Sequence, residues 1–315
     1  MNEPRVMVYL MTGFLDSGKT QFLDFTLKQD YFQIDGKTLL ILCEEGEEEY
    51  DPREMLKYGV VIEKVEDQKD LTEEWLQEME TKHEPERVVI EYNGMWKASD
   101  FERLRLPEGW GIEQKLTTVD ASTFQMYLTN LKPLFVEMVR GAEMVLFNRC
   151  GDIKPLAGYR RSVKVVSPQA EVIFEDENGE IENIFGDDVP YDLEAPVIEI
   201  PKEDYGIWYV DMMENPDRYK GKVVEFTAKV LKPRTFPAKV FLPGRMAMTC
   251  CADDTTFLGY VCRSAYAPKL KPGDWITVRA KVRFANLSVY RGEGPVLEAE
   301  NITPAEPVEE LVYFN

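Results

Sequence analysis

The sequence predicts an α/β fold with a mostly parallel sheet covered by helices, followed by a small, mainly β domain. Up to residue 176, continuously apolar runs alternate with segments of helical periodicity. Strands of a parallel sheet are buried on both faces, so they are apolar throughout instead of at alternate positions. After residue 204 the chain changes to strand-like runs separated by turn residues, a pattern that favours an antiparallel β domain.

The elements of the first domain follow from these runs in chain order. Its strands are predicted at 5–12, 37–43, 87–94, 114–122, 142–150, 162–167 and 170–176. Its helices are predicted at 18–30, 71–82 and 122–140. Regular alternation of the two element types indicates crossover connections and therefore parallel strands.

A change of composition marks the predicted domain boundary. Three prolines fall within 189–204, and we place one domain at 1–198 and the other at 199–315. A short helix is predicted at 205–216. Strands are predicted at 222–231, 245–251, 257–262, 274–284 and 295–302. Five short strands favour a small antiparallel barrel of the OB type.

Composition narrows the range of partners. The 315 residues carry a formal net charge of −20, which argues against nucleic acid and anionic membrane surfaces and favours metal cations or a basic protein. The apolar runs are too short to cross a bilayer, which needs about 20 residues. Five cysteines, an odd number without a preceding secretory signal, predict a reduced, cytoplasmic setting.

The stretch "GFLDSGKT" at 13–20 lies between the first strand and the first helix. It fits G-x-x-x-x-G-K-[ST], the loop whose backbone N–H groups surround nucleotide phosphates. Lys19 would reach the β- and γ-phosphate oxygens, and the Thr20 hydroxyl would bind Mg²⁺. The predicted nucleotide-binding residues of this loop are Gly13, Asp16, Ser17, Gly18, Lys19 and Thr20. Asp16 must point away from the phosphates, because its charge would repel them.

Carboxylates cluster after the second predicted strand. Six of them fall within 44–51, a density that fits either a solvated switch loop or a site for a hard cation such as Mg²⁺. Glu91 lies at the carboxyl end of an apolar strand, where open α/β sheets bind ligands. It would hold a water on Mg²⁺ or orient the attacking water, unless it is simply a solvated strand end.

The sulfur and imidazole groups do not predict a zinc site. Cys250 and Cys251 are adjacent in a predicted strand, so their side chains point to opposite faces. Cys262 is predicted to pair near Met246, about 14 Å from Cys250, too far for one shared metal ion. We expect buried thiols acting as small apolar groups. His83 is the only histidine, so a site with two imidazoles is excluded.

Six segments in the right order resemble the CobW-type (G3E) GTPases, P-loop proteins that handle metals. "TGFLDSGKT" is similar to their "TGFLGAGKT", "CEEGEEEYD" to "NEFGEVGID" and "IEYNG" to "IETSG". "TTVDAS", "AEMVLFNRCGD" and "SPQAEVIF" resemble "TVVDA", "ADVILLNKTD" and "NPEAEI", so that the likeness covers about 5–195. It implies GTP and Mg²⁺ as cofactors, with a transition metal as a further candidate.

The resemblance also assigns roles to single residues. It implies catalytic roles for Lys19 and Glu91. It adds to the nucleotide site the residues Gly94, Asn148, Arg149 and Asp152. The metal-ligating residues it implies are Thr20, Glu44, Glu47, Asp51 and Glu91.

Two departures from the family pattern matter for function. No cysteine occurs at 52–70, where the family carries a metal-binding C-x-C-C, so that thiolate site is missing. In the guanine-recognition motif Asn148 is kept, Arg149 replaces lysine, and Asp152 comes one residue late behind Gly151. Guanine specificity therefore requires a one-residue bulge.

The segment "GRMAMTCCADD" resembles a small domain of accessory subunits in a bacterial two-component permease family. Together the resemblances imply a GTP-binding, slowly hydrolysing switch protein in metal homeostasis or delivery, with a metal-dependent client or a permease as partner. Two alternatives stay open: an ATP-dependent enzyme that uses the same loop, and a non-hydrolysing adaptor that regulates a membrane permease.

Overall fold

The computed structural model describes residues 4–151, 153, 156–181, 189–248, 255–290, 292–308 and 311–312. The chain divides into two compact units, 1–184 and 185–315. This division comes 14 residues before the boundary predicted from the prolines. Ile198 and Glu199 form a short strand that pairs with Val224 and Glu225. This pairing places Ile198 in the second unit, whereas the predicted boundary assigned it to the first domain.

An eight-stranded sheet forms the centre of the first unit. Its strands, in chain order, are β1 Val6–Thr12, β2 Thr38–Leu42, β3 Val60–Lys64, β4 Arg87–Glu91, β5 Trp110–Asp120, β6 Met144–Asn148, β7 Glu171–Asp176 and β8 Gly179–Glu180. Their spatial order is β3-β2-β4-β1-β5-β6-β7-β8. All neighbours are parallel except β7 and β8. The predicted parallel α/β sheet is confirmed.

Seven α-helices connect these strands within the described residues of the first unit. They are α1 Lys19–Leu27, α2 Pro52–Met55, α3 Glu73–His83, α4 Ala98–Glu102, α5 Phe124–Asn130, α6 Lys132–Val139 and α7 Ala157–Lys164. The predicted helix at 122–140 is divided into α5 and α6, because Pro133 at the start of α6 lacks the N–H that would continue α5.

Apolar side chains cover both faces of this sheet. On one face Leu23 and Leu27 of α1 pack with Met11 of β1. On the other, Leu10 of β1 packs with Leu76 of α3. Further along that sheet a third cluster is built from the aromatic rings of Phe124, Phe135, Phe147, Tyr159 and Phe174. The alternation of β1 residues between clusters is the signature of a strand buried on both faces.

In the first unit one predicted strand is wrong, and two observed strands, β3 and the two-residue β8, were missed. Residues 162–164 end helix α7, and Tyr159 and Val163, four positions apart, face the core together. A short apolar run cannot by itself distinguish a strand from a buried helical turn. Strand β3 was missed because its five residues, VVIEK, alternate little and end in charges.

The second unit contains one helix and seven strands among its described residues. The helix is α8 Tyr205–Glu214; the strands are β9 Ile198–Glu199, β10 Val223–Leu231, β11 Val240–Met248, β12 Thr255–Gly259, β13 Val261–Arg263, β14 Trp275–Leu287 and β15 Gly292–Pro304. The spatial order is β12-β11-β13-β15-β14-β10-β9, and an additional pairing of β10 with β11 closes the sheet into a small barrel. The predicted β domain is confirmed, and its assignment to the OB type stays a prediction.

The register of the barrel corrects the expected position of Cys262. It pairs with Phe241 and not near Met246, whose partner is Phe257. Thr255 and Thr256 belong to β12, where they pair with Met248 and Ala247, and not to the predicted hairpin loop "ADDTT"; this shifts every pair. Cys262 is fully buried, as expected for a thiol that acts as an apolar group. Cys250 and Cys251 lie outside the described residues.

Within the ranges described above, no helix has the length and apolarity needed to cross a bilayer.

Candidate functional site

The glycine-rich loop follows β1 directly and ends at the first residue of α1. Gly18 precedes the helix with φ 90°, and a Cβ there would lie 2.5 Å from Asn148 Nδ2. A Cβ on Gly13 would lie 2.5 Å from Thr118 O. Both positions therefore need glycine, for conformation and for space. The loop is held close to the ends of β5 and β6, and the Ser17 hydroxyl bonds to that of Thr118 at 2.9 Å.

The Lys19 ammonium lies inside this loop. Its side chain is 3% exposed, and Nζ donates to Gly13 O at 3.0 Å and to Phe14 O at 2.9 Å. Its third hydrogen bond goes to Glu44 Oε2 at 2.6 Å. The positive charge is therefore fixed at the surface of the loop by backbone carbonyls and one carboxylate.

Glu44 comes from the segment that follows β2. Its side chain is 9% exposed, and its second oxygen, Oε1, accepts from the Gly94 N–H at 3.3 Å. Gly94 follows β4 and lies against the loop, because a Cβ there would meet Gly13 O at 2.5 Å. Strands β2 and β4 are neighbours, and β4 lies beside β1. The carboxyl ends of these three strands thus bring Lys19, Glu44 and Gly94 together.

A second buried group surrounds Glu91 at the end of β4. Thr20 Oγ1 donates to Glu91 Oε1 at 2.7 Å, and the Tyr50 hydroxyl donates to Oε2 at 2.5 Å. Glu91 and Tyr50 are both buried. Sequence reasoning missed Tyr50, because a single tyrosine in an acidic segment carries no motif. Tyr50 meets Glu91 only because the segment after β2 folds over the end of β4.

Burial sets the protonation of this pair. It raises the pKa of Glu91 above its usual range, although the hydrogen bonds from Tyr50 and Thr20 and the charge of Lys19 oppose the rise. Burial, and then the Glu91 charge, also raise the pKa of Tyr50 far above its usual range. Tyr50 therefore remains a hydrogen-bond donor to Glu91 at neutral pH.

Two of the residues predicted to read the base, Asn148 and Arg149, lie at the end of β6. Asn148 Nδ2 donates to Ser17 O at 2.8 Å, which ties β6 to the loop. Arg149, with φ 53°, donates from one nitrogen to Asp16 O at 2.9 Å and to Asp120 Oδ2 at 2.5 Å. Asp152 lies outside the described residues. Asp120 was not predicted, although it ends the quoted strand "TTVD".

The predicted metal ligands are only partly brought together. Thr20, Glu44 and Glu91 lie around Lys19, whereas the Asp51 carboxylate accepts from the N–H groups of Arg53 and Glu54 at the start of α2. Glu47 is exposed, and its backbone N–H donates to Asp16 Oδ1 at 3.4 Å. Among the residues that the structure describes, no three His, Cys, Asp or Glu side chains form a group that could hold a metal ion.

Cys43, the one sulfur near this group, is a poor ligand as it stands. It is buried at the end of β2, and burial, followed by the charges of Glu91 and Glu44, raises its pKa far above the usual range. The thiolate is the form that binds metal. Cys43 therefore remains a neutral thiol in this environment.

A cleft opens beside the loop. Among its lining residues are Asp16, Gly18, Lys19, Thr20, Glu44, Glu47, Glu91 and Arg149. A parallel sheet, a glycine-rich turn and a helix that begins with lysine and threonine define a P-loop nucleotide-binding protein.

Comparison with known proteins gives the family. Residues 7–174 match the family model of the CobW/HypB/UreG nucleotide-binding domain, and the chain belongs to this family of GTP-binding P-loop proteins. Residues 184–314 match the DUF1980 C-terminal domain. The CobW-type resemblance is thus confirmed over the first unit.

Two solved structures are similar at low identity. The hydrogenase maturation factor HypB from Archaeoglobus fulgidus shares 16% identity over 55% of this chain and 82% of its own, with a TM-score of 0.39. The Zn(II)-bound YjiA GTPase from E. coli shares 18% identity over 82% of this chain and 89% of its own, with a TM-score of 0.42. A search of curated proteins found no match.

Proposed function

We propose that this protein binds GTP with Mg²⁺ through Lys19 and Thr20, hydrolyses it slowly, and acts as a nucleotide-gated switch in metal homeostasis or metal delivery. The observation that carries the proposal is the convergence of Lys19, Thr20 and Glu91 on one cleft. These are the residue types that bind phosphate oxygens and a hard cation.

The residues around Thr20 fit Mg²⁺. Its hydroxyl and the Glu91 carboxylate lie 2.7 Å apart, and Mg²⁺ prefers a few oxygen ligands together with waters and phosphate. Bound Mg²⁺ would neutralise charge that develops on the β- and γ-phosphates. Thr20 would bind it directly, and Glu91 would hold a water molecule. Lys19 and the loop N–H groups would stabilise the phosphate oxygens.

Two features support slow turnover and weak metal affinity in the absence of nucleotide. Arg149, which lines the cleft, already donates to Asp16 O and Asp120 Oδ2, so its guanidinium is engaged by acceptors of the protein itself. The family's C-x-C-C has no counterpart at 52–70, and the buried Cys43 remains a neutral thiol, so the ligands available among the described residues of the cleft are oxygen atoms. Such a set binds Mg²⁺ or Mn²⁺ in preference to Zn²⁺, and more strongly when the γ-phosphate contributes.

The test is calorimetric titration of the purified protein with GTP, ATP and a panel of divalent metals, followed by phosphate-release assays. We expect GTP to bind more tightly than ATP, slow release of phosphate, and zinc binding that strengthens when a non-hydrolysable triphosphate is present. Tight zinc binding by the nucleotide-free protein that is lost when Cys250 and Cys251 become serine would contradict the oxygen-ligand site.

An ATP-dependent enzyme is the second candidate. The altered guanine motif favours it, because Gly151 stands where the family has aspartate. Equal affinity for GTP and ATP would support this reading.

A further inference from the structure

Glu44 lines the cleft and accepts hydrogen bonds from two donors, Lys19 and the Gly94 N–H. Its two carboxylate oxygens accept separately, Oε2 from Lys19 Nζ at 2.6 Å and Oε1 from the Gly94 N–H at 3.3 Å. One anionic group therefore bridges the end of the glycine-rich loop and the turn after β4. With 9% of its side chain exposed, Glu44 is held in a mostly buried position.

Of the three hydrogen bonds that Lys19 donates, only the one to Glu44 can be exchanged easily. The other two acceptors are Gly13 O and Phe14 O, which belong to the loop itself. An incoming ligand that needs the Lys19 charge must therefore replace or share the Glu44 carboxylate. At 3% exposure, Lys19 has little access to water that would offset the loss of this partner.

The γ-phosphate would need the same two donors. In the loop motif the lysine bonds to β- and γ-phosphate oxygens. The Gly94 N–H lies close to this lysine, because Gly94 packs against the loop: a Cβ on Gly94 would lie 2.5 Å from Gly13 O and 2.8 Å from Phe14 Cα. A carboxylate and a terminal phosphoryl group are both anionic oxygen acceptors that bind such donors strongly.

We propose that the Glu44 carboxylate occupies the γ-phosphate position of the nucleotide-free protein, so that a triphosphate displaces it and a diphosphate does not. This inference rests on the proposed function and adds how the site would distinguish the two nucleotides. Glu44 thereby acts as the specificity-determining residue for the third phosphate.

Displacement of Glu44 would release the acidic segment 44–49. The remaining contacts of this segment are weak, since Glu45 pairs with Lys64 at the surface and the Glu47 N–H bonds to Asp16 at 3.4 Å. The state of this segment would therefore report whether the γ-phosphate is present. A partner that binds the released carboxylates would bind the triphosphate form selectively.

The test compares Glu44→Gln with Glu45→Gln in the full chain. Both variants remove one negative charge from neighbouring positions, but the Glu45 side chain is 70% exposed and pairs with Lys64 at the surface. Glutamine at 44 keeps an oxygen acceptor for Lys19, which should preserve the fold; thermal unfolding of both variants checks this. Each protein is titrated calorimetrically with GDP and with a non-hydrolysable GTP analogue in the presence of Mg²⁺.

In Glu44→Gln we expect affinity for the GTP analogue, relative to GDP, to rise about tenfold, equivalent to about 1.4 kcal/mol. Glu45→Gln should leave the ratio unchanged. Hydrogen exchange of the segment 44–49 should increase in the wild type when the analogue binds but not when GDP binds. In Glu44→Gln exchange should already be high without nucleotide.

A lower ratio in Glu44→Gln would overturn the inference, because Glu44 would then assist binding of the third phosphate. An unchanged ratio, or equal exchange with both nucleotides, would overturn it as well. If the wild type binds ATP analogues in preference to GTP analogues, the guanine assignment fails. The ratio of the affinities for the ATP analogue and for ADP then tests the role of Glu44 in the same way. A wild type that binds neither nucleotide would overturn the proposed function and this inference together.

Discussion

The two ends of the cleft differ in how their polar groups are held. At the phosphate end Lys19 and Glu91 are each 3% exposed, and every donor of Lys19 has a partner. At the opposite end Arg149 is half exposed, and the buried Asn148 Oδ1 has no hydrogen-bond partner in the part of the chain that the structure describes. The end of the cleft around Lys19 is therefore preorganised by the fold itself, whereas we expect base selection to depend on the segment after β6.

This difference has a structural cause. The phosphate end is built from the ends of β1, β2 and β4, which are neighbours in the sheet and fix each other's positions. The opposite end depends on the end of β6 and on the residues that follow it. In that segment the family motif is altered at Arg149, Gly151 and Asp152. Substitutions at the two ends should therefore have effects of different size and kind.

The largest effect is expected from Lys19→Ala, which removes the buried charge at the phosphate end. Nucleotide affinity should fall at least about 100-fold, or about 2.7 kcal/mol, for GTP and ATP alike. Titration with both nucleotides measures this. Lys28→Ala is the control, because Lys28 ends the same helical segment but pairs with Asp24 and Glu54 at the surface. Unchanged affinity in Lys19→Ala would remove the phosphate assignment.

Tyr50→Phe should cost the nucleotide-free protein about 2 kcal/mol of unfolding free energy, because it deprives a buried carboxylate of a donor. Chemical denaturation at neutral pH measures the change. Tyr58→Phe is a matched control: Tyr58 packs against the same apolar cluster without a hydroxyl partner among the described residues. Equal losses in the two variants would show that Tyr50 acts by packing alone.

Asp152→Ala should act at the base end, with a loss of about tenfold in GTP affinity. ATP affinity should stay the same, which makes ATP the internal control. The expected cause is the loss of the carboxylate that accepts hydrogen bonds from guanine. An equal loss of affinity for GTP and for ATP would mean that Asp152 supports the loop and does not read the base.

The smallest effect concerns the pH dependence of stability. Because the folded-state pKa of Glu91 is raised above the value of 4.5 in the unfolded chain, the folded chain binds more protons. The contribution of Glu91 to the free energy of unfolding is therefore complete below pH 4.5 and is lost as the pH rises through the folded-state pKa. Melting temperatures of Glu91→Gln, measured from pH 4.5 upward, should decline less than those of the wild type. Glu45→Gln, at a surface carboxylate, should not reduce the decline.

Sequence reasoning predicted the features that depend on neighbours in the chain. The loop 13–20 fits its motif within eight residues, and Glu91 was selected because it ends an apolar strand; their roles in nucleotide binding stay predictions. Sequence reasoning did not predict the contact of Tyr50 with Glu91, nor which donors bond to Glu44. These contacts join residues that follow different strands. Sequence reasoning also placed a strand at 162–167, where burial of Tyr159 and Val163 selects a helix.

The sequence by itself determined the α/β class, the glycine-rich loop and the loss of the C-x-C-C, because each is expressed in local composition and spacing. Only the tertiary structure decided which carboxylate meets which donor. Glu44 reaches Lys19 across 25 positions, and Tyr50 reaches Glu91 across 41. These contacts exist because parallel pairing sets the ends of β1, β2 and β4 side by side, and strand order is a property of the whole sheet.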